Sequence, residues 1–559
     1  MDRRTLAAAI ALALLAGVPF ASKAFHIDDT LVLTISQQIL REPLRPFHAE
    51  VNWRDDSAPI AQAADDPPLL SYYLAPFIRL FGASELWLHA AMVPFFIMLA
   101  AGTGLLGRWF WAGEGWPMLF VMSSPVLLVS GNVMSEVPAA ALATLGLALF
   151  VFGMDEERRG LCAWGAVLVG LAALTKYSAA ALVPLLALYP LLRRKPRLAA
   201  WALVPVALFG LWCLQSWLSL GRPHPFVVFQ QRAGIWRSAL DRLYPALTIA
   251  GSMLLLPPVL AVAWMRRRAW LALPLLAAVA AAAWCGVNHY FHGDPLAWRG
   301  IPTLSWQYYL WAMMGAALLA ATVGGGLAAA AWYLVQREQG AAEWVFLVAW
   351  AAAPFLFGIF LTPLLSASHL LLALPPVVVL GMRLLTPPRG RVRVALAIML
   401  VVQAGVAALV AAADYEQAEA GRAFARQGIR RYGAPGQQVW FNGHWGWQHY
   451  ALAAGARQYA THGEQPKPGD LILAPKWLAH AAWAPDLEAS LETVDEVPFP
   501  ARVPARTMDG WRSSFYAVTA QRAPYFITFA DTPVQVGLVF RVRPADGGAT
   551  APRAPAGTQ

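Results

Sequence analysis

In the stretch FHIDDTLVLTISQQIL at 25–40, two adjacent carboxylates, Asp28 and Asp29, stand where a long apolar segment ends. An Asp ahead of a helix is a good N-cap, and its charge suits the positive end of the helix dipole. A cap needs only one side chain. The second carboxylate is therefore free for proton transfer, the work a positioned Asp can do on a hydroxyl or amine. A third acid, Glu136 in NVMSEVPA, falls at the mouth of an apolar run and is followed by Pro138. An ionisable group at that position is more often functional than merely solvated. Lys176, in LTKYS between two short apolar runs, supplies positive charge at the same depth, where snorkelling to the interface is its alternative role.

These residues need a membrane bundle to position them. The 559-residue chain is 58% hydrophobic and 13% charged, too apolar for a soluble protein of this length. Apolar runs of the roughly 17–25 residues that a span requires recur near 5–24, 86–107, 116–132, 136–153, 160–175, 177–192, 198–220, 244–265, 269–288, 305–335, 342–361, 368–385 and 392–412. If each crosses once, the side that holds Arg3 and Arg4 also receives Arg108, Arg158, Arg159, RRKPR at 193–197, RRR at 266–268, Arg337 and RGRVR at 389–393. The positive-inside rule is then satisfied throughout, with the N-terminus cytoplasmic and the C-terminal part outside. The net charge of +10 thus reflects topology rather than nucleic-acid binding. Cys162, Cys213 and Cys285 all lie in apolar runs, which argues against a disulfide framework or a zinc site. The first 25 residues also have the features of a cleavable signal peptide, but the topology favours a retained first span.

The expected fold is an all-α polytopic membrane bundle of about thirteen transmembrane helices, with interfacial helices in the first outward loop and a small C-terminal α/β extracytoplasmic domain. The divisions are 1–412 for the bundle, including the acid-rich 25–85 loop, then 413–543 for the outer domain and 544–559 for a disordered tail. Behind Asp29, Leu31, Val32, Ile35 and Ile39 share one helical face, while Thr30, Thr34, Gln37, Gln38 and Arg41 share the other, so this helix should lie in the interface plane. DDPPLLSYYLAPFIRLFG at 65–82 reads as a second interfacial helix. The pair would wall a cavity open to lipid and water, placing Asp65, Asp66, Tyr72 and Tyr73 beside an acceptor. In the outer domain, QQVWFNG, DLILAP and YFITF read as strands. The histidines and tryptophans of WFNGHWGWQHY could stack sugars or could simply pack a strand and helix against the bilayer surface.

The order HIDD, DDPPLLSYYLAPFIRLFG, SGNVMSEVPAAAL, GLAALTKYSAAALVPLLALYPLL and SHLLLALPPVVVL resembles the C-type polytopic glycosyltransferases, in the branch of protein O-mannosyltransferases and bacterial aminoarabinose transferases. The resemblance covers roughly 1–412. It implies transfer of a sugar from a polyprenyl-phosphate donor to a lipid, protein or polysaccharide acceptor at the outer face of the membrane. By position, Asp28 matches the family's catalytic carboxylate, Asp29 its acidic neighbour and Glu136 a second acidic site. Inverting displacement at an anomeric carbon asks for a base of this kind. Lys176 matches the family's donor-phosphate pattern, with Arg232, Arg237 and Arg299 as further outward cations. Two departures stand out: Asp66 and Ser368–His369 occupy positions where relatives often carry cations. His369 is then a titratable substitute, or Asp65 and Asp66 hold a divalent metal through oxygen ligands. A transporter or flippase of lipid-linked glycans is the competing reading. It should place charges near the bilayer midplane and show a repeat, whereas here the acids gather at the surface. The Ala/Arg-rich composition points to a bacterial inner membrane.

Overall fold

The computed structural model describes residues 3–110, 113, 115–232, 239–257, 259, 305–336, 340–362, 365–385, 388–433, 437–478, 480–508, 515–516, 528–529 and 532–544. Among these, eight helices are long and apolar enough to cross a membrane: Arg3–Phe20, Glu85–Trp109, Glu136–Asp155, Pro196–Leu220, Leu310–Val335, Ala341–Phe360, Ala367–Leu385 and Arg391–Tyr432. Each coincides with an expected span. The run expected at 116–132 instead forms two short helices, Gly115–Met122 and Pro125–Val129, interrupted ahead of Pro125. The run at 177–192 is likewise split, into a 3-10 turn at Tyr177–Leu182 and the helix Leu185–Leu192. Pro184, which has no N–H to continue the helical ladder, sits at the break. Of the run at 244–265, the helix Ala239–Met253 is described. The run at 269–288 lies outside the described residues.

Helices Glu136–Asp155 and Arg159–Thr175 form an antiparallel hairpin with almost no space between their backbones. A Cβ on Gly165 would fall 2.6 Å from the Gly146 carbonyl oxygen, and one on Gly146 would fall 2.9 Å from that of Gly165. Such small-residue contacts let helices in a membrane approach closely. The hairpin fixes the site, because its two open ends carry Glu136 and Lys176 side by side. Its closed end carries Arg158 and Arg159, and by helix direction Arg108, Arg193 and Arg391 also lie at that far end. These basic residues are thus at the opposite end of the bundle from Asp28, Asp66 and Glu136.

The final helix, Arg391–Tyr432, has 42 residues and a length of roughly 63 Å at 1.5 Å per residue. That is about twice the hydrocarbon thickness, so the boundary expected at 412–413 falls inside a continuous rod. Residues 413–432 contain no proline to stop it. The rod carries a five-stranded sheet built from β3 (Val439–Phe441), β4 (Arg457–Gln458), β5 (Leu471–Pro475), β6 (Leu491–Phe499) and β7 (Gln535–Val542), in the order β4-β3-β5-β7-β6. β3 pairs in parallel with β4 and β5, while β7 runs antiparallel to β5 and β6. The parallel β3–β4 step crosses over through the helix Gly446–Ala453.

The first loop folds back onto this sheet. Its hairpin, β1 (Glu50–Asn52) and β2 (Ser57–Pro59), is clasped by Asn52 Nδ2 donating to the Tyr459 carbonyl at 3.1 Å and by Asp55 Oδ1 accepting from Ala482 N–H at 2.9 Å. Asp56 accepts from His462 N–H at 2.8 Å. Helix Asp29–Arg41 is therefore covered rather than afloat on the interface. Thr30 and Gln38, expected on a solvent face, are each 5% exposed, since helix Leu69–Phe81 and the outer domain both pack on it.

Candidate active site

A cavity of about 400 Å³ opens between these parts. Leu31, Val32, Ile35 and Leu70, from the two short helices, make one wall apolar. Asp28, Asp65, Asp66, Glu136, Lys176 and His369 make the other polar, and Trp53, Arg54, Asp55, His444, Trp445, His480 and Tyr516 close the roof. Six of the residues singled out in the sequence thus meet in one space, although they come from five separate segments.

The adjacent aspartates divide their roles. Asp29 starts the helix Asp29–Arg41, is fully buried, and accepts the His26 N–H at 2.7 Å through Oδ2. Asp28 occupies the N-cap position but makes no capping hydrogen bond, and its carboxylate lines the cavity. Ile27, just before it, has φ +49°. A β-branched residue in the left-handed region costs about 1–3 kcal/mol and is characteristic of functional turns. Burial, followed by the negative charges of Asp65 and Glu136, pushes the Asp28 carboxyl up to about 7. Burial likewise raises Asp29 to about 7, against the His26 N–H and Lys23, which favour its ionised form.

Lys176 is buried and bridges two acids, with Nζ 3.0 Å from Asp66 Oδ2 and 3.2 Å from Glu136 Oε1. Ser135 Oγ donates to the same Asp66 oxygen at 2.6 Å, and Ser368 Oγ donates to Glu136 Oε1 at 3.0 Å. Glu136 is 5% exposed, and its Oε2 has no hydrogen-bond partner. A buried carboxylate oxygen left unpaired beside a cavity is poised for a ligand donor. His369 packs into a capping box with Ser366 at the start of the turn Ala367–Ala373.

Other expectations shift. Tyr72 and Tyr73 lie outside the cavity lining: Tyr72 Oη donates to the Pro43 carbonyl at 2.5 Å and Tyr73 Oη to the Ala91 carbonyl at 2.9 Å. Successive helical residues point about 100° apart, and on this helix Leu70 and Ser71 face inward instead. Arg232 ends the helix His224–Arg232, while Arg237 and Arg299 lie outside the described residues. A divalent metal on Asp65 and Asp66 lacks a ligand set. Asp66 is already engaged by Lys176 and Ser135, and among the described residues no three His, Cys, Asp or Glu side chains gather to hold an ion.

Beneath the roof lies a buried ion pair that the sequence reading missed. Lys23 binds Asp414 and also donates to Asn132 Oδ1 at 2.5 Å. Tyr516 Oη donates to Asp414 Oδ2 at 2.7 Å and Thr507 Oγ1 to Oδ1 at 2.8 Å. Its only signal in the chain was a lone Lys and a lone Asp just past the ends of two apolar runs. The pair ties the first helix to the last, immediately behind Asp28.

The outer domain docks on the same strand of chain. Phe25 N–H donates to Tyr450 Oη at 2.7 Å, and a Cβ on Gly446 would fall 2.1 Å from the Phe25 carbonyl oxygen. Gly446→Ala is therefore expected to push the domain away from residues 25–28, costing about 1–3 kcal/mol as overpacking does. Thermal unfolding of the purified protein checks this, together with activity, which should fall with it.

No protein-family model matches the chain, and no curated protein matches it. Solved structures similar to it include an oligosaccharyltransferase from Archaeoglobus fulgidus in the apo form, at 12% identity and a TM-score of 0.46. That alignment covers 82% of this chain and 64% of the archaeal protein, so the chain spans less than two thirds of its length. ArnT from Cupriavidus metallidurans bound to undecaprenyl phosphate is similar at 16% identity and a TM-score of 0.41, covering 96% of this chain and 97% of that one. The apo state of the same ArnT aligns at a TM-score of 0.35 over 84% of this chain and 92% of that one.

Proposed function

We propose that this chain is an integral-membrane glycosyltransferase that moves a sugar from a polyprenyl-phosphate donor to an acceptor hydroxyl or amine at the outer face of the membrane. The observation that carries this reading is the half-buried Asp28 carboxylate, pushed up to about 7 and lining a cavity with one apolar and one polar wall. The basic residues described at the far end of the bundle favour an outward-facing cavity by the positive-inside rule, and the Ala/Arg-rich composition favours a bacterial inner membrane. In the proposed reaction Asp28 takes the proton of the attacking acceptor. The new bond forms at the anomeric carbon as the bond to the lipid phosphate breaks, and the electron pair leaves with the phosphate, giving inversion. Lys176, Arg54 and His369 line the cavity and are the groups this reading places toward that phosphate. The crowd of carboxylates makes Asp28 a stronger base at the cost of repelling the phosphate, a balance that Lys176 moderates.

Because the base must be ionised, the rate is expected to rise with pH along an acid limb near 7, set by Asp28. Stability has the opposite sign. The folded state keeps a proton that the unfolded chain, with an ordinary value of 3.8, has released. The contribution present below 3.8 is therefore lost as pH rises through 7. A pH–rate profile beside unfolding curves checks both.

The test of function is mass spectrometry of envelope glycans and lipids from strains with and without the gene. Loss of one glycan together with accumulation of its polyprenyl-phosphate sugar supports transfer, and the lost mass names the sugar. An unchanged glycan and lipid profile would sink the reading.

A further inference from the structure

In the roof of the cavity, His444 and Trp445 of the outer domain and Trp53 of the first loop have no part in proton transfer by Asp28 or in holding the phosphate. Between β3 and the helix Gly446–Ala453, the chain passes through Gly443 at φ +131° and Trp445 at φ +67°. A tryptophan in the left-handed region is costly and persists only where its surroundings over-determine it. Here the docking of Gly446 on the Phe25 carbonyl does so, and the result is that His444 and Trp445 both face the cavity.

His444 is 1% exposed, and the Arg54 backbone is the polar partner within reach of its ring, which leaves one nitrogen without a partner among the described residues. Buried polar groups are normally paired, as Asn442 two residues earlier is, exchanging bonds of 2.9 and 2.8 Å with the Ala481 backbone. Burial lowers His444 to about 4, so its imidazole is neutral, and with its N–H on the Arg54 backbone the other nitrogen remains as an acceptor. Half-buried Trp445 and Trp53 line the same end of the cavity.

We propose that this roof is a carbohydrate subsite that seats a pyranose ring of the acceptor, with its C–H face on the indoles of Trp445 and Trp53 and one of its hydroxyls donating to the His444 nitrogen that Arg54 does not take. The assignment of the ring to the acceptor rests on the glycosyl-transfer reading above. Gly446 seats the His444–Trp445 loop against the Phe25–His26 backbone that leads into Asp28, and the base must meet the acceptor's hydroxyl, so the ring held here is the acceptor's. A peptide is the poorer fit, because none of the lining residues belongs to a sheet edge with which an extended chain could pair.

The experiment is saturation-transfer NMR on the full-length protein in nanodiscs, using a panel of methyl pyranosides and a serine-containing tripeptide as probes. At least one pyranoside should receive saturation from the wild-type protein. The signal should weaken roughly five-fold, the worth of one net hydrogen bond, in His444→Leu, and should fall in Trp445→Gly, a residue that accepts the same φ without strain. Asp28→Asn should retain it. The subsite is overturned if no pyranoside binds the wild type, if both roof variants bind as well as it does, or if only the tripeptide binds. Pyranoside binding that depends on His444, in a protein whose deletion changes no glycan, would keep the subsite and remove the transferase reading. Absent binding with Asp28-dependent transfer would remove the subsite alone.

Discussion

Asp28→Asn should lower turnover by the purified full-length protein about 100- to 10,000-fold, the range that a positioned general base contributes. The amide is nearly isosteric, so the cavity keeps its shape, but no proton can be accepted at neutral pH. The stability change separates this outcome from damage. Asp28 is ionised against burial and against the charges of Asp65 and Glu136, so a neutral amide should hold or raise the unfolding temperature at pH 8. Loss of turnover with stability retained identifies a base. Asp28→Glu keeps the proton acceptor but moves it by one methylene, and should fall between wild type and Asn. Full turnover in Asp28→Asn would remove this residue from the chemistry, and the acid limb of the pH profile would then need another owner.

Lys176→Met carries the largest expected cost in stability. Glu136 and Asp66 would lose the ammonium 3.2 and 3.0 Å away. Breaking a buried pair on one side costs about 3–5 kcal/mol, because the remaining charge is left without compensation. Most of the penalty belongs to Glu136, whose side chain is 4% exposed against 28% for Asp66. The informative construction combines Lys176→Met with Glu136→Gln and Asp66→Asn, which takes away the stranded charges as well. Unfolding measurements should show most of the lost stability returning, since the three sites are coupled and their separate effects do not add. Turnover then assigns the lysine. Recovered turnover in the stabilised triple variant makes Lys176 a counter-charge only, whereas continued inactivity, with turnover retained in the Glu136→Gln/Asp66→Asn double variant, places it on the donor phosphate.

Much of the architecture was legible because it depends on local pattern. The long apolar runs at 86–107, 136–153 and 392–412 correspond to helices Glu85–Trp109, Glu136–Asp155 and Arg391–Tyr432, since a run of that composition has one stable form in lipid. The meeting of Glu136 with Lys176 was also close to readable. They begin and end two consecutive helices, and a three-residue connection at 156–158 forces those helices antiparallel, which brings the two ends together.

Tertiary structure decided which surfaces those elements would share. Periodicity identified the apolar face of the helix Asp29–Arg41 but not the cover over its polar face, so Thr30 and Gln38 were expected in water and are buried instead. Tyr72 and Tyr73 were placed in the cavity by their proximity to Asp66 in the chain, but helical rotation turned Leu70 and Ser71 there. Lys23 and Asp414 stand 391 residues apart, and nothing local to either announces a partner. His444 and Trp445 gained a cavity only because Gly446 lets their loop lie against the backbone just before Asp28. The sequence by itself determined which helices form and which carboxylate leads one of them, because backbone hydrogen bonding and side-chain periodicity act over a few residues. Packing across the whole chain decided that Asp28 faces a cavity with a lysine on one wall and a buried imidazole in its roof, because burial and charge pairing depend on neighbours that only the folded chain brings together.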